Sequence, residues 1–381
     1  MAQSTVLRLR GIWLQVHKWI GLLLAVLIIP ISLSGSALVW HDGLEEMLHP
    51  GRFAVSGGEA RLPPSAYAAA ARQVLAPGER VASIAFPKGE GPVMVAAAHP
   101  PSPGAARPAR TNVWLDPADA RLLDKAGSND GAVRFLHGLH GSLTVPGVGR
   151  QIVGWVGVAM SVSCLTGLWL WWPITGSVRR GFRWKRQNST NANLHHQMGF
   201  WILLPLAMLS FTGVWISFPQ AFGRFEATQP RAGGGAPDRA RAMRARPLER
   251  TQMTADAALA AALPHATGPL TTIAWPTDQS PEWKVTFARE GGPAEVEVGD
   301  TSGEVTPPRP PRPETRARTM RRWHDGTGMG LAWQVIIFIG GIIPAALAIT
   351  GIVMWLRSRG WRARLKRKRQ ARGQPVPLPA E

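Results

Sequence analysis

The sequence predicts an α-helical integral membrane protein: a four-helix transmembrane bundle from a tandem duplication, with two small α+β domains outside the membrane. Three observations predict it. Four apolar runs are long enough to cross a bilayer, which takes ~20 residues of helix. Histidines, glycines and Thr-Gly pairs recur at matching places in the two halves of the chain. Between the runs lie two long segments that each read as one helix followed by alternating strands.

The apolar runs fall at about Trp13–Trp40, Ile152–Trp172, Phe200–Phe218 and Trp333–Leu356. Arg8 and Arg10 ahead of the first run resemble the start of a secretory signal, but the apolar part of a signal is ~7–15 residues long. This run is longer and carries Trp13, Trp19 and Trp40 as interface anchors. It is expected to remain as the first helix.

Across its 381 residues the chain has a net charge of +19, and short basic flanks set the expected orientation. The N-terminal flank (Arg8, Arg10, Lys18), the connection SVRRGFRWKRQ and the tail RSRGWRARLKRKRQARG should all be cytoplasmic. Both termini then lie inside. The long segments lie in the periplasm despite their arginines, because long domains translocate largely regardless of charge. A basic tail beside a membrane helix reads as an anchor for anionic lipids, and no nucleic-acid partner is expected.

The expected order is helix one at 1–40, an outer domain at 41–136, and a histidine segment with helix two at 137–176. A basic loop at 177–197, helix three at 198–219 and a second outer domain with Pro/Arg-rich linkers at 220–322 follow. A second histidine segment with helix four, 323–356, leads to the basic tail at 357–381. The linkers are RAGGGAPDRARAMRARP and PPRPPRP, whose composition reads as solvated connections. The single cysteine, Cys164, lies inside the second run, so no internal disulfide is possible. No Cys-X-X-Cys-His occurs, so no haem is attached covalently.

Sliding the chain on itself exposes the repeat. At one offset His17, Gly21 and Gly35 fall on His195, Gly199 and Gly213. At another, His140, Gly157, Thr166-Gly167, Trp171 and Gly176 fall on His324, Gly341, Thr350-Gly351, Trp355 and Gly360. The outer segments repeat too: SAYAAAARQVL then ASIAFP matches TADAALAAALP then TTIAWP, each followed by strand-like stretches. Each outer segment is expected to hold one helix and about three strands.

Ionisable residues at membrane depth are rare and usually functional. His17 and His195, or its neighbour His196, mark the cytoplasmic ends of helices one and three. His140, His137 and His324 lie on the periplasmic approaches to helices two and four, and His41 lies where helix one leaves the membrane. Neutral imidazole ligates haem iron, zinc, copper or nickel. A zinc site would want about four converging ligands. One repeat-matched histidine per half at each face suits two axial ligands of a b-type haem better. Gly21 and Gly199 share a helix face with their histidines and would let a flat ring lie against the backbone. Gly35, Gly213, Gly167 and Gly351 read first as helix-packing positions. His196, His137 and His41 lack repeat partners and rank below the matched four. GSLTVPGVGRQ after His140 and DGTGMG after His324 keep both histidines off the spanning helices.

The stretches WLQVHKWIGLLLAVLIIPISLSG, FLHGLHGSL with GLWLWWP, NLHHQMGFWILLPLAMLSFTG, and RWHDGTGMG with ITGIVMWLRSR resemble the PepSY-associated transmembrane family, from about Val6 to Trp361. Its members are bacterial inner-membrane proteins, many iron-regulated, and include ferric-siderophore reductases. The outer domains are similar to reduced PepSY modules. The resemblance implies an oxidoreductase with two b haems, one per leaflet, held by His17 with His195 and by His140 with His324. It would pass electrons to a ferric siderophore in the periplasm and release Fe(II). No G-X-G-X-X-G loop follows a strand, so the electrons come from a partner, quinol or a cytoplasmic reductase. Other classes compatible with the architecture are a quinone-coupled b cytochrome with another periplasmic acceptor, a haem-free siderophore transporter, and an envelope binding protein.

Overall fold

The computed structural model describes residues 2–100, 109–172, 178–184, 187, 189–225, 245–311 and 314–371. Gly176, most of the first Pro/Arg-rich linker, the end of the second, parts of the basic loop and the last ten residues lie outside these. The chain forms two compact units. One comprises Met1–His41, Phe135–Ala227 and Glu314–Glu381; the other comprises Asp42–Arg134 and Thr228–Pro313.

The first unit is helical: α1 (Ala2–Leu38), α4 (Ala132–Ser142), α5 (Gly149–Trp171), α6 (Thr190–Trp201), α7 (Leu203–Ser217), the short α8 (Pro219–Phe222), α10 (Arg316–Asp325) and α11 (Leu331–Ala371). Among the described residues, three stretches, Thr5–Leu38, Gly149–Trp171 and Leu331–Trp361, are long and apolar enough to span a membrane. The pair α6 and α7 makes a fourth candidate, bent by 63°. The chain is therefore a multi-pass membrane protein with three to four candidate spans.

Two helices outrun their apolar cores. α1 begins at Ala2, ahead of Trp13, and α11 continues from Leu356 through the basic stretch to Ala371. Arg and Lys are good helix formers, and only Gly360 interrupts the second extension. The third apolar run is not one straight helix. α6 starts at Thr190, where the Ser189 hydroxyl accepts from the Ala192 N–H at 3.2 Å. It ends where the Pro205 ring would meet the carbonyl of Trp201, four residues earlier, and that clash accounts for the bend at Ile202. Pro30 and Pro344 are accommodated inside α1 and α11.

α1 packs against α5 and α11, α5 against α7, and α10 against α7. The α1–α11 contact is close. Ser36 donates to the Phe338 carbonyl at 2.9 Å, and a Cβ at Gly341 would collide with the Ser36 hydroxyl. Close approach through small residues is the usual way helices pack in lipid.

The second unit holds α3 (Pro64–Val74), α9 (Ala255–Ala262) and eight strands: β1 (Arg80–Ala85), β2 (Val93–Ala98), β3 (Arg110–Leu115), β4 (Leu122–Gly127), β5 (Leu270–Ala274), β6 (Glu282–Phe287), β7 (Ala294–Gly299) and β8 (Val305–Thr306). α2 (His41–Leu48) leads into it. Each half contributes one helix and four strands, against about three expected. The two sets share one antiparallel sheet, ordered β4-β3-β2-β1-β5-β6-β7-β8. The join is the β1–β5 pair, with Ile84 opposite Ile273. The exposed edge of each set satisfies its backbone groups on the other.

Alternate strand residues face one core of Ile84, Val95, Val113, Ile273, Trp283 and Val296, covered by α3 and α9. Asp116 and Asp300 follow β3 and β7 and are both buried. Asp116 accepts from the Ser56 N–H at 2.7 Å and hydroxyl at 2.8 Å. Asp300 accepts from the Gln252 N–H at 2.9 Å and the Trp283 indole N–H at 2.9 Å. Both carboxylates thus tie a loop leading toward a covering helix to the sheet.

Candidate functional site

The helical unit brings four histidines together as two pairs. His17 on α1 faces His195 on α6, with ring centroids 6.4 Å apart and planes at 83°. His140 on α4 faces His324 on α10, at 5.8 Å and 41°. The His140 ring lies against Gly35 on α1. His17 and Gly35 are about 27 Å apart along that helix, at 1.5 Å per residue. The pairs therefore sit toward opposite ends of the helical unit.

Each ring is held through Nδ1. The Thr166 hydroxyl donates to the Val162 carbonyl of its own helix at 3.0 Å, and its oxygen stands 3.0 Å from His17 Nδ1. Thr350 repeats this, donating to the Ala346 carbonyl at 2.9 Å and meeting His195 Nδ1 at 2.9 Å. Thr212 donates to the Met208 carbonyl at 2.8 Å and meets His324 Nδ1 at 2.9 Å. In each case the hydroxyl proton is committed to the helix, so the imidazole Nδ1–H is the donor. His140 differs: its Nδ1 lies 2.8 Å from the Ile31 carbonyl, which only accepts. Ser34, at the place Thr212 occupies on its own helix, donates to the Pro30 carbonyl at 2.6 Å and takes no ring. All four rings therefore carry the proton on Nδ1 and the lone pair on Nε2.

The glycine after each hydroxyl residue borders a ring, and at Gly35, Gly167 and Gly213 it makes room for one. A Cβ at Gly35 would lie 2.6 Å from His140 Cε1. At Gly167 it would lie 3.3 Å from His17 Cε1, and at Gly213 3.3 Å from His324 Cε1. At Gly351 it would lie 3.8 Å from His195 Cε1. The positions read from sequence as helix-packing glycines thus border the histidines. Ser34-Gly35, Thr166-Gly167, Thr212-Gly213 and Thr350-Gly351 place one hydroxyl-glycine step on each apolar run. That recurrence was the sequence signal for the orienting hydroxyls. Among the described residues, a Cβ at Gly21 would meet nothing within 4 Å, and one at Gly199 would meet only Leu347, at 4.0 Å.

Both histidine-bearing short helices end in left-handed backbone. Gly326 closes α10 at φ 77°, a conformation only glycine adopts without cost. After α4, Leu143 and Thr144 take φ of 52° and 58° without being glycine. Their N–H groups bond the Leu139 and Gly138 carbonyls at 3.0 Å each, which holds that turn. α4 and α10 are thereby separated from α5 and α11.

The remaining candidates divide. His196 Nε2 lies 3.0 Å from the Gly181 carbonyl, so it carries that nitrogen's proton, and its ring stacks over Trp171. It is engaged apart from the His17–His195 pair. His41 and His137 face each other at 6.2 Å and 86°, a contact no repeat indicated. Trp171 is buried against Phe200, ring centroids 4.1 Å apart, as a packing residue.

Two imidazoles on opposite sides of one metal ion, each nitrogen ~2 Å from it, put ring centroids about 6 Å apart. Both matched pairs meet that spacing. Among the described residues no group of three or more His, Cys, Asp or Glu is placed to hold a metal ion. Each pair could offer two imidazole nitrogens to one metal centre.

A multi-pass helical membrane protein with two oriented histidine pairs, joined to an antiparallel sheet unit, is the class these features define. The family profile of the PepSY-associated TM region matches residues 14–358, and the chain belongs to that family. Comparison with curated proteins returns no match.

Proposed function

We propose that this chain is a four-helix, tandemly duplicated reductase of the bacterial inner membrane, with two b haems, that delivers electrons to a ferric siderophore in the periplasm and releases Fe(II). The observation that carries this reading is the pairing of His17 with His195 and of His140 with His324, each ring tethered at Nδ1. His17 and His195 would hold one haem, His140 and His324 the other. Each haem, when bound, supplies a one-electron redox centre. Thr166, Thr350, Thr212 and the Ile31 carbonyl fix ring orientation and tautomer, and make Nε2 a better ligand. The glycines beside the rings keep each histidine close to a neighbouring helix. The separation of the pairs along α1 lets an electron enter at one membrane face and leave at the other.

The basic flanks orient the chain with both termini in the cytoplasm. His17 and His195 then belong to the cytoplasmic leaflet, His140 and His324 to the periplasmic one. The donor is quinol or a cytoplasmic reductase, since the sequence carries no dinucleotide-binding loop. One electron converts one Fe(III) to Fe(II), which hard oxygen donors hold less strongly. A haem-free transporter or binding protein has no need of four rings held in one tautomer. A quinone-coupled b cytochrome with a different periplasmic acceptor would use the same pairs.

The test is a reduced-minus-oxidised visible spectrum of detergent-purified protein, with pyridine haemochrome quantitation. Two non-covalent b haems per chain, reduced in number by His17→Ala and by His324→Ala, are expected. Reoxidation of the reduced protein by a ferric siderophore then identifies the acceptor. A colourless, folded preparation from haem-replete cells would overturn the proposal.

A further inference from the structure

We propose that His41 and His137 form a separate binding site for a divalent transition-metal ion, at the end of α1 where α2 begins. The two rings come from different elements, His41 from the start of α2 and His137 from α4, and their centroids are 6.2 Å apart. That matches the spacing of two imidazoles on one ion, about 6 Å, as in the other two pairs. Both side chains are exposed, so an ion in solution can reach them.

His41 Nδ1 lies 3.1 Å from the Leu38 carbonyl. A carbonyl only accepts, so Nδ1 carries the proton and Nε2 the lone pair, as in the four rings described above. This backbone tether is the usual second support of a metal-ligating histidine. Imidazole selects borderline divalent ions such as Zn(II), Ni(II), Cu(II) and Fe(II).

Exposure separates this pair from the other two. A macrocycle between His41 and His137 would lie uncovered by protein, whereas a hydrated ion needs no cover. Among the described residues no third His, Cys, Asp or Glu completes a metal set, so water fills the remaining positions and the ion exchanges readily. His137 is three residues before His140 on α4 and shares its helix face. Assigning Fe(II) as the ion handled there rests on the reductase reading above: it is the product released at that end of the bundle, and two imidazoles would accept it from oxygen donors. The metal site itself rests only on the His41–His137 geometry.

The experiment is isothermal titration of the full-length, detergent-purified protein with Zn(II) alone, alongside His41→Ala, His137→Ala and the double variant. Haem content is read by pyridine haemochrome in every sample. One site per chain is expected, weakened about tenfold or more by either single substitution and absent in the double variant, with haem content unchanged. No Zn(II) binding in the parent, or equal binding in the double variant, overturns the site. Loss of haem in either single variant also overturns it, since these histidines would then serve the macrocycle. A haem-free protein that still binds Zn(II) through this pair would leave the site standing and remove the reductase reading.

Discussion

Thr166 ties His17 to a neighbouring helix: its hydroxyl reaches the Val162 and Ser163 carbonyls of its own helix, and its oxygen stands 3.0 Å from Nδ1 of a ring on another helix. The tie matters because it decides which nitrogen of His17 is left basic. Thr350 with His195 and Thr212 with His324 repeat it.

Thr166→Val and Thr350→Val keep the shape and remove the acceptor. The His17 or His195 Nδ1–H is then left without its partner, a cost of about 1–3 kcal/mol for a buried group. Loss of such an outer partner typically weakens a metal ligand set about 10–100-fold. Haem retained after competition with apomyoglobin should fall accordingly, while Thr166→Ser, which keeps the hydroxyl, should retain it.

Gly35→Ala and Gly351→Ala should differ sharply although both sit beside a histidine. An added methyl meets the His140 ring at 2.6 Å in the first case and the His195 ring at 3.8 Å in the second. Helix propensity favours alanine at both sites by about 1 kcal/mol, so any loss at Gly35 is steric. The spectrum of the His140–His324 centre should change in Gly35→Ala alone.

His195→Gln should remove one of the two haem signals, and His196→Gln should leave both. Glutamine at the second position can still donate to the Gly181 carbonyl that His196 now engages. Haem quantitation on the two purified variants separates these adjacent residues. Equal loss in both would contradict the assignment.

The sheet unit should lose stability in acid through Asp116. Burial alone would raise this carboxyl, but the Ala118 and Ser56 N–H groups, the Ser56 hydroxyl and Arg121 outweigh it and hold it below its ordinary value of 3.8. A folded value below the unfolded one means the stabilisation is complete above the unfolded value. It disappears as pH falls from there through the lowered folded value. Thermal unfolding of the sheet unit, followed by tryptophan fluorescence against pH, should show this loss, and Asp116→Asn should lower stability at pH 7 and flatten the acid limb.

Much of the molecule was legible in local pattern. Hydropathy marked the four apolar runs because each span must satisfy its own backbone within one stretch of chain. Alternation in the stretches that follow ASIAFP and TTIAWP marked strands because residues of alternate sense must face one core. The bend at Ile202 was not read from the uniformly apolar run, although Pro205 carries its physical cause. The fourth strand of the second half, only Val305–Thr306, was too short to show a period.

Other features belong to the tertiary structure alone. By itself the sequence determined that the chain enters the membrane several times and that its histidines stand at matching places, because these depend on composition and order. It did not determine that β1 pairs with β5, because an exposed strand edge carries no mark of which partner will cover it. Nor did it determine that His41 meets His137, that His140 takes a carbonyl where its counterpart His324 takes a hydroxyl, or that Gly35 borders a ring. Those depend on which helices lie side by side, a contact made between residues a hundred positions apart and fixed only when all the packing is satisfied together.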